Sequence, residues 1–146
     1  MIDLNDYQTI RTINEGGFGL VYLFERKKDH QHFAAKVNRI NLTAENRLSF
    51  TREIGIFIRV QSPTILPFYG FSYNDFDNWR QVTILLKYCE NGSLQQLLEQ
   101  ESKSVAPHEY DNTTKQIILC GIAHGMMTLH SRRIIHRDLK PGNVLL

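Results

Sequence analysis

The chain has 146 residues, of which 42% are hydrophobic and 22% are charged, so it can bury a core and is not disordered by composition. Its 17 basic and 15 acidic residues leave a net charge of +2, which is no electrostatic footprint for nucleic acid. No nucleic-acid partner is therefore predicted. No apolar run is long enough to span a bilayer, so no membrane segment is predicted either.

The N-terminus and the two cysteines bear on the cellular compartment. Residues 1–6 lack a basic region followed by an apolar one, so no signal peptide is predicted. Cys89 and Cys120 are too few for a disulfide framework. Their apolar surroundings predict buried thiols in a reducing compartment. A cytoplasmic location is therefore the default expectation, with the nucleus as the alternative.

The first third of the chain has the pattern of three strands, Tyr7–Ile13, Leu20–Phe24 and His32–Val37. The third strand alternates, with Phe33 on one face and Lys36 on the other. A helix is then predicted over Thr43–Gln61, with Thr43 as its N-cap. Its predicted buried side carries four apolar residues, Phe50, Ile54, Phe57 and Val60, and its opposite side carries Arg52 and Arg59.

Two more strands are predicted at Phe68–Tyr73 and Gln81–Tyr88. The organisation changes at the break around Gly92. A short helix is predicted from Ser93 to about residue 101, and a longer one over Thr113–Ser131. Five strands with one helix, followed by helices, predict an α+β fold with a lobe boundary near Gly92.

A glycine-rich turn, Glu15–Gly19, lies between the first two predicted strands. Three glycines in four positions let a backbone turn sharply and approach a ligand closely, and the N–H groups of such a turn can face phosphate oxygens. An ordinary glycine-rich hairpin is the alternative. A Rossmann loop would open a helix, whereas a strand follows here. A Walker A loop would end in Gly-Lys-Ser/Thr, which is absent.

Lys36 is a charged residue in an apolar strand, where an unpaired charge is costly. An edge-strand lysine that extends to water is one explanation. Glu53 offers another, because helical spacing places it on the apolar stripe of its helix, where a carboxylate needs a cation. We therefore expect an ion pair between a buried Glu53 and Lys36, whose ammonium could also hold phosphate oxygens.

The stretch Ile135–Leu146 contains the densest group of candidate catalytic side chains. It places the carboxylate of Asp138, the ammonium of Lys140 and the amide of Asn143 within six residues, in a turn made by Pro141-Gly142. Phosphoryl transfer needs a group that orients the attacking hydroxyl, a cation near the transferred group, and magnesium ligands. A polar surface turn would explain the aspartate and the asparagine but not the whole string.

Taken together and in this order, these motifs resemble the eukaryotic protein kinase family, serine/threonine type, over nearly the whole chain. The resemblance implies a two-lobe kinase-like fold: an antiparallel five-stranded N-lobe with its C-helix, and the beginning of a helical C-lobe. It divides this partial kinase domain, 1–146, into an N-lobe with hinge at 1–91 and the start of the C-lobe at 92–146. A weaker likeness to the tyrosine-kinase-like branch rests on residues 67–71 and the Arg-Glu-Ile of the helix.

The resemblance also implies roles for individual residues. Asp138 would accept the proton of the substrate hydroxyl, Lys140 would steady the γ-phosphate, and Asn143 would ligate Mg²⁺. The implied cofactors are ATP and Mg²⁺, and the implied partner is a protein with Ser or Thr to be phosphorylated. The residues implied to contact ATP are Ile13, Gly16, Gly17, Phe18, Gly19, Val21, Ala34, Lys36, Glu53, Leu86, Lys87 and Cys89.

Three features depart from the family pattern. Asn14 stands where the first loop glycine is usual, and Lys87 stands at a hinge position that is often acidic. No Asp-Phe-Gly follows Asn143 in the chain, and this motif supplies a magnesium aspartate in the family. We therefore expect the 146-residue chain alone to lack kinase activity. The alternative to a kinase is a non-catalytic nucleotide-binding or scaffold fragment of the same fold.

Overall fold

The structure is a computed structural model that describes residues 1–16, 19–41, 44–75, 81–107 and 110–146. Two single turns of 3-10 helix, Leu4–Asp6 and Pro141–Asn143, accompany the longer elements. The strands and helices are β1 (Tyr7–Gly16), β2 (Gly19–Arg26), β3 (His32–Asn41), α1 (Ala44–Arg59), β4 (Phe68–Ser72), β5 (Gln81–Lys87), α2 (Leu94–Ser102) and α3 (Asn112–Ser131).

These elements fall into two compact units, which we call the sheet unit and the helical unit. The sheet unit comprises Met1–Gln61 and Pro67–Tyr88, and the helical unit comprises Ser62–Leu66 and Cys89–Leu146. The lobe limits at 91 and 92 stay a prediction.

The sheet unit contains a five-stranded sheet with the order β1-β2-β3-β5-β4, in which every neighbouring pair is antiparallel. This confirms the predicted α+β class with an antiparallel five-stranded sheet. The strands are longer than predicted at several ends, and β2 and β3 reach Arg26 and Asn41. Those ends continue because the ladder to a neighbouring strand satisfies backbone groups beyond the apolar pattern.

One face of the sheet forms a core around Phe24, Phe33, Ala35 and Leu85, each at most 1% exposed. The residues that cover this core include Ile2, Leu4 and Tyr7, which lie at or before the start of β1, together with Tyr22. The N–H of Ile2 also donates to the carbonyl of Phe71 in the edge strand β4, at 2.9 Å. This N-terminal cover was not predicted from the sequence, because the short 3-10 turn has no periodic pattern.

Helix α1 packs through the side that was predicted. Phe50 and Ile54 are buried, as is Val60 just beyond the helix, and Phe57 is half-buried, whereas Arg52 and Arg59 are exposed. The helix ends at Arg59, two residues before the predicted end at Gln61. The predicted N-cap, Thr43, lies outside the described residues, as does most of the predicted turn at 74–78.

In the helical unit, both helices begin at a capping side chain. The Ser93 hydroxyl accepts from the N–H of Gln96, whose side chain accepts from the N–H of Ser93, so α2 starts with a capping box. The carboxylate of Asp111 accepts from the N–H of Thr114 at 2.7 Å and caps α3. No helix in the described part of the chain is long and apolar enough to cross a membrane.

Helix α3 is buried on only part of its surface and exposes apolar side chains elsewhere. Leu129 is buried and three other residues of the predicted stripe are half-buried, namely Ile118, Ile122 and Met126. Ile117 and Leu119, in contrast, are each 65% exposed. The expectation of buried thiols is wrong for Cys120, which lies on this exposed side, and Cys89 is only half-buried. Neither is in a disulfide.

Candidate functional site

The glycine-rich turn joins β1 and β2, which pair as far as Gly16 and Gly19. Gly17 and Phe18, both predicted to contact ATP, lie outside the described residues. Gly19 is buried and has a φ of 138°, and a Cβ there would lie 2.1 Å from the carbonyl oxygen of Val37. Glycine is thus required at position 19 by the close approach of β2 to β3, and its contact with a ligand stays a prediction.

The expected ion pair forms between β3 and α1. Lys36 Nζ lies 3.7 Å from Glu53 Oε1, with side chains 34% and 40% exposed. The pair is confirmed, but the expectation that Glu53 is buried is wrong. Glu53 is half-buried next to the buried Ile54, and Phe57, one turn further along the same side of the helix, is also only half-buried. Both charged groups therefore remain accessible to a charged ligand.

Four predicted nucleotide contacts of the sheet unit share one face: Val21, Ala34, Lys36 and Leu86. Val21 pairs with Lys36 across β2 and β3, and Ala34 pairs with Leu86 across β3 and β5. Because the side chains of one strand alternate between faces, Ala34 and Lys36 point to the same side. That side is opposite to the one on which Ala35 joins the core.

Three other predicted contacts are placed less regularly. Ile13 is half-buried at an irregularity of β1, between Thr12 and Asn14. Lys87 is exposed at the end of β5, and Cys89 is half-buried and begins the longer segment of the helical unit.

The predicted catalytic loop brings its three polar side chains into contact. Lys140 Nζ lies 3.0 Å from Asp138 Oδ2. Asn143 Nδ2 donates to the same carboxylate oxygen at 2.9 Å and to the carbonyl oxygen of Asp138 at 2.7 Å. These bonds lower the pKa of Asp138, first through Lys140 and then through Asn143. At neutral pH the loop therefore presents a carboxylate, an ammonium and an amide oxygen together.

Backbone contacts hold this loop against the start of α2. The N–H of Leu94 donates to the carbonyl of Val144 at 2.8 Å, and the N–H of Leu146 donates to the carbonyl of Gly92 at 3.0 Å. Arg137, directly before Asp138, has a φ of 65°. A non-glycine residue in this left-handed region is uncommon and carries a cost that surrounding contacts must offset. Such strain often accompanies functional positions.

Tyr88 is a further residue of the segment 86–89 that the predicted ATP contacts did not include. The guanidinium of Arg11, on β1, donates to its hydroxyl at 3.4 Å. The two residues are 77 positions apart in the chain, and no sequence motif links them. Only the register of the sheet brings them together.

Known proteins are similar to this chain over most of its length. The family model described as "Protein kinase domain" matches residues 7–146. Mitogen-activated protein kinase kinase 2 of Arabidopsis thaliana is 31% identical over 99% of the chain. Serine/threonine-protein kinase Nek5 of Mus musculus is 30% identical over 98% of it, and inhibitor of nuclear factor kappa-B kinase subunit alpha of Xenopus tropicalis is 30% identical over 92%. The chain spans 38%, 21% and 18% of the length of these relatives.

Proposed function

Because the chain belongs to the protein kinase family, we propose that it forms the ATP-binding and catalytic-loop portion of a serine/threonine protein kinase. Such an enzyme transfers the γ-phosphate of ATP to Ser or Thr hydroxyls of a protein. The observation that carries the proposal is the Asp138 carboxylate, bonded by both Lys140 and Asn143. One relative named above, serine/threonine-protein kinase Nek5, supports the choice of hydroxyl.

Asp138 would orient the attacking hydroxyl. A carboxylate with a lowered pKa stays ionised at neutral pH and accepts a hydrogen bond from the substrate. It is a weak base, so it would take the proton late, when the transferred phosphoryl group already binds the oxygen. This order suits the loose transition state of phosphoryl transfer, in which positioning matters more than proton abstraction.

Two ammonium groups would bind the phosphates of ATP. Lys36 is held by Glu53 and remains 34% exposed, so it can contact phosphate oxygens without leaving its partner. Lys140 is 55% exposed beside Asp138. Its ammonium would interact with the negative charge of the γ-phosphate during transfer. Val21, Ala34 and Leu86 would contact the adenine, and the backbone of 86–89 would bond its edge.

Magnesium fits the donors that the loop offers. Mg²⁺ takes oxygen ligands and is usually held by one or two protein side chains together with substrate phosphates. Among the described residues, no group of three or more His, Cys, Asp or Glu could hold a metal alone. With its amide nitrogen bonded to Asp138, Asn143 has its amide oxygen as the ligand atom. When bound, the ion neutralises charge on the transferred group.

Phosphate transfer by the natural full-length protein tests the proposal. We expect transfer of labelled γ-phosphate to Ser and Thr of a generic protein substrate, identified by phosphoamino acid analysis. Asp138→Asn should lower kcat by about 10²- to 10⁴-fold, the range for one acid–base group, and leave ATP affinity unchanged. An ATP-binding protein without any transfer would instead support the non-catalytic alternative. Phosphotyrosine as the sole product would refute the serine/threonine assignment.

Four smaller points stay proposals. The 146-residue chain alone is expected to be inactive, because its sequence contains no Asp-Phe-Gly after Asn143; robust turnover by the purified chain would refute this. A cytoplasmic location rests on the N-terminal residues and the two cysteines, and the lack of a nucleic-acid partner rests on the charge balance. The tyrosine-kinase-like branch rests only on the two short motifs given above.

A further inference from the structure

Tyr88 ends a polar row that crosses the sheet from β1 to the end of β5. Gln8 pairs with Glu25, and Glu25 pairs with His32. His32 and Tyr88 lie one residue beyond the outermost pair of β3 and β5, Phe33 with Lys87, and their rings are in contact. Directly opposite residues of antiparallel strands share a face, so these four side chains are neighbours on one side of the sheet.

Glu25 holds the middle of this row in place. Gln8 Nε2 donates to Glu25 Oε1 at 2.7 Å, and His30 Nδ1 lies 3.0 Å from the same oxygen. His32 Nε2 lies 3.6 Å from the other oxygen, and the Glu25 side chain is only 16% exposed. The His32 ring in turn meets the Tyr88 ring edge to face, with 6.3 Å between centroids. The position of the Tyr88 ring is thus linked to an anchored carboxylate two strands away.

The hydroxyl of Tyr88 is held from the opposite direction by Arg11. Arg11 pairs with Leu23, Leu23 with Ala34, and Ala34 with Leu86, so Arg11 begins the next row on the same face. Its bond to Tyr88 therefore extends past the side chains that we assign to the adenine.

We propose that Arg11 and His32 are positioning residues for the adenine end of ATP. They hold the ring and the hydroxyl of Tyr88, and so they fix the backbone of 86–89 to which Tyr88 belongs. This inference rests on the proposed function, which assigns that backbone to the adenine edge. A binding segment that is already ordered loses less conformational freedom when the ligand binds, so releasing Tyr88 weakens binding without changing any group that touches the phosphates.

Calorimetric titration of the natural full-length protein with Mg-ATP and with adenosine tests this. Arg11→Ala and Tyr88→Phe should each weaken both ligands by about three- to fivefold, which is the scale of one cross-strand contact. Tyr88→Phe keeps the ring against His32 and removes only the hydroxyl. If Arg11 acts through that hydroxyl, the double variant should bind no more weakly than either single variant. His32→Ala should weaken both ligands and add to the effect of Tyr88→Phe.

The matched control is Thr12→Ala, an exposed position next to Arg11 that points to the other face of β1. It should change neither affinity, and none of the variants should shift the melting temperature without ligand enough to unfold the protein at the titration temperature. Equal adenosine affinity of Arg11→Ala and the natural protein would overturn the inference. Additive losses for Arg11→Ala and Tyr88→Phe would overturn it too.

Lys36→Ala separates this inference from the proposed function. That variant should weaken ATP but leave adenosine unchanged, because it lacks only a phosphate contact. If it does so while Arg11→Ala changes nothing, only the present inference fails. If the natural protein binds neither ligand, the proposed function fails and this inference fails with it.

Discussion

The sheet unit and the helical unit hold their candidate residues by different means. Lys36 lies on β3 among tightly packed residues. Ala35, which precedes it, and Ile84, its partner on β5, are both 0% exposed. In the helical unit, α2 has no buried residue, and those of α3 are Gly125, Thr128 and Leu129. One unit therefore positions its charged group with a core, and the other positions Asp138 with short-range polar bonds.

This difference means that the candidate residues of the two units should respond to different mutations. Asp138 and its bonding partner Asn143 are only five residues apart in the chain, so their geometry depends little on distant packing. Lys36 and Glu53 come from separate elements, and their contact depends on how α1 packs on the sheet. The following predictions test the contrast.

The largest effect is expected in the core of the sheet unit. Leu85→Ala removes a side chain that is 0% exposed and should lower the free energy of unfolding by about 2–5 kcal/mol. Leu119→Ala, at a position that is 65% exposed, should change it by no more than about 0.5 kcal/mol. Urea denaturation measures both. Equal losses would show that the helical unit has a core comparable to that of the sheet.

A smaller effect is expected where the helical unit depends on a helix cap. Ser93→Ala removes the capping box of α2 and should lower the free energy of unfolding by about 0.5–2 kcal/mol. Hydrogen exchange at Leu94, which donates to Val144, should speed up as well. Ser102→Ala, at the other end of the same helix, is the control. Unchanged exchange at Leu94 would argue against anchoring of the loop by this cap.

Alanine replacements of two glycines in α3 should change the stability of the protein differently. A Cβ on Gly121 would lie 3.9 Å from Thr64 Cγ2, an ordinary contact, so Gly121→Ala should stabilise the protein by about 0.5–1 kcal/mol through helix propensity. A Cβ on Gly125 would lie 3.2 Å from the Thr64 carbonyl oxygen, and Gly125→Ala should gain less or lose. Thermal melts compare the two. An equal gain for both variants would show that the backbone around Thr64 can shift to accommodate the added methyl group.

The smallest effect is expected from acid titration. Bonds from His30 and then Gln8 hold the pKa of Glu25 below its ordinary value of 4.5. A carboxylate with a lowered folded pKa adds stability above the unfolded value, and this is lost as the pH falls through 4.5 towards the folded pKa. The stability difference between the natural protein and Glu25→Gln should therefore shrink in that window. A difference that stays constant down to pH 3 would contradict the prediction.

The same titration of Asp138→Asn extends the comparison to the helical unit. The ordinary pKa of Asp138 is 3.8 and is lowered by Lys140 and Asn143, so its contribution should begin to fall below pH 3.8, whereas that of Glu25 begins to fall below pH 4.5. Loss of both contributions at the same pH would show that they report one shared unfolding event.

Local patterns predicted most of the elements, because apolar periodicity and helix caps are properties of neighbouring residues. The alternation around Phe33 identified the core face of β3, and Ser93 lies at the predicted start of α2. The Lys36–Glu53 pair was also predictable, since a charge in an apolar strand needs a partner. The exposure of Glu53 was not, because helical spacing indicates the side of a helix on which a residue lies but not how deeply that side is covered.

Residue types at short, fixed spacings were enough to establish the family, the α+β class and the polar string from Asp138 to Asn143. The contacts made through strand register could be seen only in the folded chain: the N-terminal cover of the sheet, the close approach of Gly19 to Val37, and the bond from Arg11 to Tyr88. Strand pairing brings together residues many positions apart, and no local pattern records which of them will face each other.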